Sequence, residues 1–312
     1  MFSIVIPVYN EEESLDELVS KIKTAVVELN VQFEILFVND GSTDNSQKVI
    51  DDLSLENNNI KSITFRKNFG KSAALNAGFE HVKYDIVFTM DADLQDDPME
   101  IPRFLKEIED GYDLVTGWKE NRNDPKEKTI PSKVFNAITS KMSGLELKDY
   151  NCGFKCYRKT VLNEVNLYGE LHRFVPFLAF KKGFKVQEIP VHHHERKHGI
   201  SKFGWERYAR GFFDLLTVIF ITNYINRPMH LFGGIGSIFF GVGLALFSYL
   251  FFGRWIFGES IGSSPIFLIS IFLLGSGIQI FILGMIAELI VHNKERQKKK
   301  SYSIEKMNIE NS

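Results

Sequence analysis

Apolar residues over about the first 115 positions follow two alternating rhythms. Short runs dense in β-branched and aromatic residues, "FSIVIPVY" from Phe2, "FEILFVND" from Phe33 and "DIVFTMDAD" from Asp85, read as strands. Between them, "EEESLDELVSKIKTAVVEL", "STDNSQKVIDDL" and "GKSAALNAGFEHV" read as helices. Strands apolar on both faces and alternating with helices predict an α/β fold, a mostly parallel sheet flanked by helices. Ligands of such sheets bind beyond the carboxyl ends of the strands, and three of those ends read "PVYNE", "VNDGSTD" and "DADLQDD". No GxGxxG follows the first strand, which disfavours a dinucleotide-binding domain.

Farther along, the pattern changes to long apolar stretches. Residues 231–253 and 261–287 carry no charge, and each exceeds the roughly 20 residues that an α-helix needs to cross a bilayer. The short "RWIFGES" between them predicts an antiparallel hairpin. The basic "HNKERQKKK" after it places both ends, and the N-terminal unit, in the cytoplasm. Ahead of the hairpin, "WERYARGFFDLLTVIFITNYINRP" interleaves Arg207, Arg210 and Asp214 with Trp205, Phe212, Leu215, Leu216 and Ile219, which predicts a helix lying in the membrane interface. The expected organisation is a globular unit over 1–204, an interfacial region over 205–228, a membrane hairpin over 229–291 with helices at about 229–253 and 265–289, and a basic, polar tail over 292–312.

Composition sharpens this only in part. With 312 residues, 44% hydrophobic, and a net charge of −2, the chain has no electrostatic footprint for nucleic acid. Cys152 and Cys156 are too few for a disulfide scaffold or a four-ligand zinc site. The N-terminus lacks the basic region and cleavage pattern of a signal peptide and is expected to be a strand.

The stretch "VFTMDADLQDDP" at 87–98 supports two readings. One is a solvated loop opening a helix, with Asp97 as N-cap and Pro98 as first helical residue. The other is a hard divalent cation held by Asp91, Asp93 and the amide oxygen of Gln95. Spacing alone favours the first.

Several ordered motifs together carry a resemblance that tips the balance. "PVYNEE" at 7–12, "VNDGSTDNS" at 38–46, "RKNFGKSAALNAG" at 66–78, "MDADLQDDP" at 90–98 and "DYNCGFKCYRK" at 149–159 resemble the family two glycosyltransferases, whose fold is GT-A. With "ERKHGISKFG" at 195–204 and two trailing membrane helices, the chain is similar to the polyprenyl-phosphate glycosyltransferases, the group that includes dolichyl-phosphate mannose synthase.

The resemblance implies an inverting enzyme that moves one sugar from a UDP- or GDP-sugar to undecaprenyl or dolichyl phosphate. It makes Asp91 and Asp93 the DxD acids, with Ala92 between them and Gln95 completing a site for Mg²⁺ or Mn²⁺, while Asp96 and Asp97 keep the helix-start role. Pro7, Tyr9, Glu11, Val38 and Asp40 fall in the nucleotide pocket. Arg196 and Lys202 match positions that grip the donor diphosphate. Asp149 matches an acid near the reacting centre, and Lys119, Arg122 and Lys133 are the cations for the acceptor phosphate. His192, His193 and His194 are read as strand and loop residues, because imidazole suits softer ions. A processive polysaccharide synthase is the first alternative, disfavoured by the missing QxxRW motif and by having only two membrane helices. A non-catalytic scaffold is the second, and a homo-oligomer is left open.

Overall fold

A computed structural model describes residues 1–119, 139–140, 144–165, 171–194, 213, 215–225, 227–257 and 264–297. The chain divides into two compact units, Met1–Val218 and Ile219–Ser312.

The first unit opens as the alternating pattern predicts: β1 (Phe2–Val8), α1 (Leu15–Val27), β2 (Phe33–Asn39), α2 (Ser46–Glu56), β3 (Ile60–Thr64), α3 (Lys71–His81), β4 (Ile86–Thr89), a 3₁₀ turn (Pro98–Glu100) running into α4 (Ile101–Glu109), and β5 (Leu114–Lys119). There follow β6 (Lys155–Arg158), α5 (Lys159–Glu164), α6 (Val175–Lys181) and β7 (Val186–Val191). The sheet order is β3-β2-β1-β4-β6-β5-β7. All pairs are parallel except those of β6, which runs against both β4 and β5. The carboxyl ends of the parallel strands and the amino end of β6 therefore share one edge.

Strand periodicity explains how the helices attach. Phe2, Ile4, Ile6 and Val8 of β1 join Leu15, Leu18 and Ile22 of α1, Ile50 of α2 and Phe104 of α4 in one buried core. Val5 and Val38 turn to the opposite face, against Gly78 of α3. Beneath the β4 end, Phe88, Phe104 and Phe154 form a buried ring cluster, with Phe104 and Phe154 centroids 4.5 Å apart. Burial of three phenylalanines contributes about 2–3 kcal/mol each and gives the loop above them a stiff floor.

In the second unit, a π-helical turn at Phe220–Tyr224 precedes two long helices, α7 (Pro228–Phe257) and α8 (Pro265–Gln297). Both are long and apolar enough to cross a membrane, over Pro228–Ile256 and Pro265–Asn293. They pack closely because glycines remove side chains from the seam. A Cβ on Gly236 would lie 2.8 Å from Gly277 O, and one on Gly243 would lie 2.8 Å from Leu274 N.

Gly41, just past β2, is required on two counts. Its φ is +69°, and a Cβ there would lie 2.7 Å from Asn68 N. Gly41→Ala is therefore expected to destabilise the first unit by about 2 kcal/mol, read as a thermal midpoint lowered by roughly 4–8 °C. An unchanged midpoint would show that the loop relaxes freely.

Candidate active site

The loops after β1 and β2 are knitted to each other by side chains. Asn10, itself at φ 55°, accepts Thr43 N–H on Oδ1 at 2.7 Å, and Ser42 Oγ accepts Asn10 N–H at 3.0 Å. Asp44 accepts Ser46 N–H and Glu12 N–H, and Ser46 Oγ accepts Glu11 N–H at 2.9 Å. Tyr9 and Glu11 are half-buried on this rim, as is Pro7 within β1, whereas Val38 is fully buried against α3.

Asp40 is buried, and its carboxylate accepts Phe69 N–H on Oδ1 at 2.7 Å and Gly70 N–H on Oδ2 at 2.9 Å. Burial raises its pKa, and these two backbone donors oppose the rise. Its first task is thus to hold the turn that launches α3. A lone pair remains on each oxygen for a further donor.

At the end of β4, Asp91 meets Lys71, the first residue of α3, in a close ion pair. Burial pushes the Asp91 carboxyl up, but the Lys71 ammonium, helped by Lys119, brings it down to about 2. Asp91 is therefore a permanent anion, with about 36% of its side chain accessible. The wall behind it is Gly153, where a Cβ would stand 2.6 Å from Asp91 Oδ2. The Gly153 carbonyl accepts Thr89 Oγ1–H at 2.9 Å, so the wall is fixed to β4.

Asp93 is 8% exposed, and its Oδ1 accepts Gln95 N–H at 3.2 Å around Leu94, whose φ is +60°. Ala92 is buried. The Gln95 amide nitrogen reaches His194 O at 3.5 Å, so the carbonyl oxygen is the end of the amide that a hard cation would take.

Asp97 takes the expected N-cap role, accepting Met99 N–H at 3.0 Å. Asp96, expected at the helix start beside it, instead turns inward and accepts Asp91 N–H on Oδ2 at 3.3 Å. Its inward position goes with the left-handed bend at Leu94 and the antiparallel bridge between Asp96 and His193. Burial, then the negative charge of Asp91, lifts Asp96 to about 6.

This surplus of negative charge is what a divalent cation relieves, and Asp91, Asp93 and Gln95 offer the hard oxygen ligands that Mg²⁺ or Mn²⁺ takes. Among the described residues no three acidic, histidine or cysteine side chains form a closed cage.

Beside the Lys71–Asp91 pair lies a small polar cavity lined by Lys71, Thr89, Asn151, Gly153, Tyr157 and His172. Burial, then the neighbouring Lys71 and Arg173, holds His172 well below its ordinary pKa, so the ring that meets Ser72 Oγ at 2.9 Å is neutral.

Asp149 is fully buried, and its Oδ1 accepts Asn151 N–H at 3.0 Å, shaping the turn that delivers Asn151–Gly153 to the cavity. Lys119, the last residue of β5, has its ammonium 3.1 Å from His193 Nε2. Arg122, Lys133, Arg196 and Lys202 lie outside the described residues, as do residues 205–212, 214 and 226 of the expected interfacial region. The structure thus brings Asp91, Asp93, Gln95 and Lys119 to one edge with Lys71, Gly153 and His193, to which the sequence reading gave no part in the site. Lys71 and Gly153 lay inside quoted motifs, but nothing in the linear pattern showed that each touches Asp91.

Comparison with known proteins gives the family and the fold. The family described as Glycosyl transferase family 2 matches residues 3–165. The dodecaprenyl-phosphate galacturonate synthase of Rhizobium johnstonii is 36% identical over 304 residues, covering 94% of this chain and 88% of that protein. The undecaprenyl-phosphate 4-deoxy-4-formamido-L-arabinose transferase of Shewanella sediminis is 38% identical over 290 residues, covering 92% and 86%. Among solved structures, glucosyl-3-phosphoglycerate synthase from Mycobacterium tuberculosis, in complex with Mn²⁺, UDP and phosphoglyceric acid, shares the fold with a TM-score of 0.56 at 13% identity, over 71% of this chain and 78% of that one.

Proposed function

The chain belongs to glycosyl transferase family 2, and from that membership we propose that it transfers a single sugar, with inversion, from a UDP- or GDP-sugar to a polyprenyl phosphate at the cytoplasmic face of a membrane. The observation that supports this most is the edge where the braced acids Asp91 and Asp93 and the cation Lys119 converge, in a chain that also carries two membrane-length helices.

A divalent cation, when bound, neutralises the charge that develops on the leaving diphosphate. Asp91, Asp93 and Gln95 would hold it, and Lys71 keeps Asp91 ionised. Lys119, with Arg122 and Lys133, binds the acceptor phosphate, while Arg196 and Lys202 bind the donor diphosphate. A phosphate oxygen of the acceptor attacks the anomeric carbon from the face opposite the leaving group. The new C–O bond forms as the bond to the nucleoside diphosphate breaks, and the nucleotide departs with the electron pair. A phosphate monoester is already largely ionised at neutral pH, so no general base is needed. Asp149 accordingly shapes the turn at Asn151 and takes no proton in this scheme.

Holding the acceptor in the bilayer avoids exposing its hydrocarbon, at about 0.8 kcal/mol per CH₂. The hairpin serves that purpose, with both termini in the cytoplasm.

Purified protein in detergent, assayed with UDP- and GDP-sugars and undecaprenyl or dolichyl phosphate, is expected to yield one sugar per lipid phosphate with the anomeric configuration inverted. Polymer, retention of configuration, or hydrolysis alone would overturn the reading. Lys119→Ala is expected to raise the acceptor KM about tenfold and leave the donor Kd unchanged, since a charge-assisted contact contributes ~1.5–3 kcal/mol.

A further inference from the structure

The geometry points to His193 as a positioning residue that fixes Lys119, the proposed acceptor-phosphate cation, in register with the acid loop that ends β4. The inference rests on the assignment of Lys119 under the proposed function and adds a residue to it.

His193 follows β7, while Lys119 ends β5, the strand paired with it in parallel. His193 Nε2 lies 3.1 Å from Lys119 Nζ. An ammonium only donates, so Nε2 is the acceptor, and the ring proton sits on Nδ1. Nδ1 faces Asp96 Oδ1 at 3.9 Å, and the other oxygen of that carboxylate accepts Asp91 N–H at 3.3 Å. At 3.9 Å the imidazole and the Asp96 carboxylate are electrostatic neighbours and not hydrogen-bonded, so the tie from Lys119 through His193 to the acid loop is completed by the backbone.

The backbone reinforces it. His193 forms an antiparallel bridge with Asp96, and His194 N–H donates to Gln95 O at 2.9 Å. The His193 ring is 14% exposed and the Asp96 side chain 3%, so neither is a loose surface contact.

A lysine on four rotatable bonds loses much of its value in positioning unless something fixes its head group. Displacements near 1 Å at a reacting centre cost on the order of 100-fold in rate. Tethering Lys119 to the loop that carries Asp91 and Asp93 sets the distance between acceptor phosphate and donor sugar.

The test uses the full-length protein in detergent with undecaprenyl phosphate as acceptor and, as donor, whichever nucleotide sugar supports turnover. His193→Phe keeps the ring volume but has no acceptor for the ammonium. It is expected to raise the acceptor KM about tenfold, with the donor Kd by calorimetry and the thermal midpoint unchanged. His193→Gln, whose amide can accept from Lys119 and donate towards Asp96, should recover most of the loss. In a Lys119→Ala background, His193→Phe should add nothing.

If Lys119→Ala raises the acceptor KM while His193→Phe does not, the positioning role is wrong and the acceptor site stands. A matching fall in donor affinity or stability in His193→Phe would reduce His193 to a structural prop. If Lys119→Ala leaves the acceptor KM unchanged, the acceptor assignment fails and this inference fails with it.

Discussion

Asp93→Ala is expected to lower kcat on the order of 10³-fold, equivalent to about 4 kcal/mol of transition-state stabilisation, in a protein that stays folded. Asp93 is buried, and within the loop its Oδ1 accepts the Gln95 N–H at 3.2 Å. Asp93→Asn separates charge from loop geometry, because the amide oxygen still accepts that N–H. A loss in the asparagine variant close to that in the alanine variant would assign the effect to charge. Chelation of divalent cations in the wild-type protein should produce a similar loss, restored by Mg²⁺ or Mn²⁺. Full turnover of either variant in excess chelator would sink the metal role of this loop. The alternative, a role only in loop geometry, predicts that Asp93→Asn behaves as wild type.

Gly153→Ala is expected to lower kcat about 100-fold, although a single methyl group is added and no charge is touched. The added Cβ would lie 2.6 Å from Asp91 Oδ2 and 2.8 Å from Asp91 Cγ. One side must yield. The Gly153 carbonyl is held by Thr89 Oγ1, and the next carbonyl, Phe154 O, accepts Gly117 N–H at 3.0 Å, so the wall is fastened to β4 and β5. The Asp91 side chain, on a rotatable χ1, is the softer partner, and it leaves the position set by Lys71. Weaker binding of the Mg²⁺–nucleotide pair by calorimetry should accompany the loss, with a thermal midpoint lowered by only roughly 2–5 °C. A wild-type kcat in this variant would mean that the wall shifts and Asp91 does not.

Sequence alone determined whatever depends on near neighbours. The apolar runs of β1, β2 and β4 are buried on both faces because their pattern left no polar face to expose. The two membrane-length helices follow from length and lack of charge. Asp97 caps a helix because an aspartate before a proline suits that position wherever it occurs. The DxD pair was recognisable through its motif and its place at a strand end, but its surroundings were not.

Only the tertiary structure decided those surroundings, because each contact joins residues far apart in the chain. Lys71 reaches Asp91 across 20 positions, and Lys119 meets His193 across 74. Gly153 backs Asp91 because β6 enters the sheet in reverse beside β4, pairing Lys155 with Thr89, and no local period announces that reversal. Asp96 was misplaced for the same reason: its inward turn depends on the left-handed bend at Leu94 and on the backbone bridge to His193. Hydrophobic periodicity reports which face of an element is buried, whereas the identity of the partner on that face is set by long-range packing that one linear pattern does not encode.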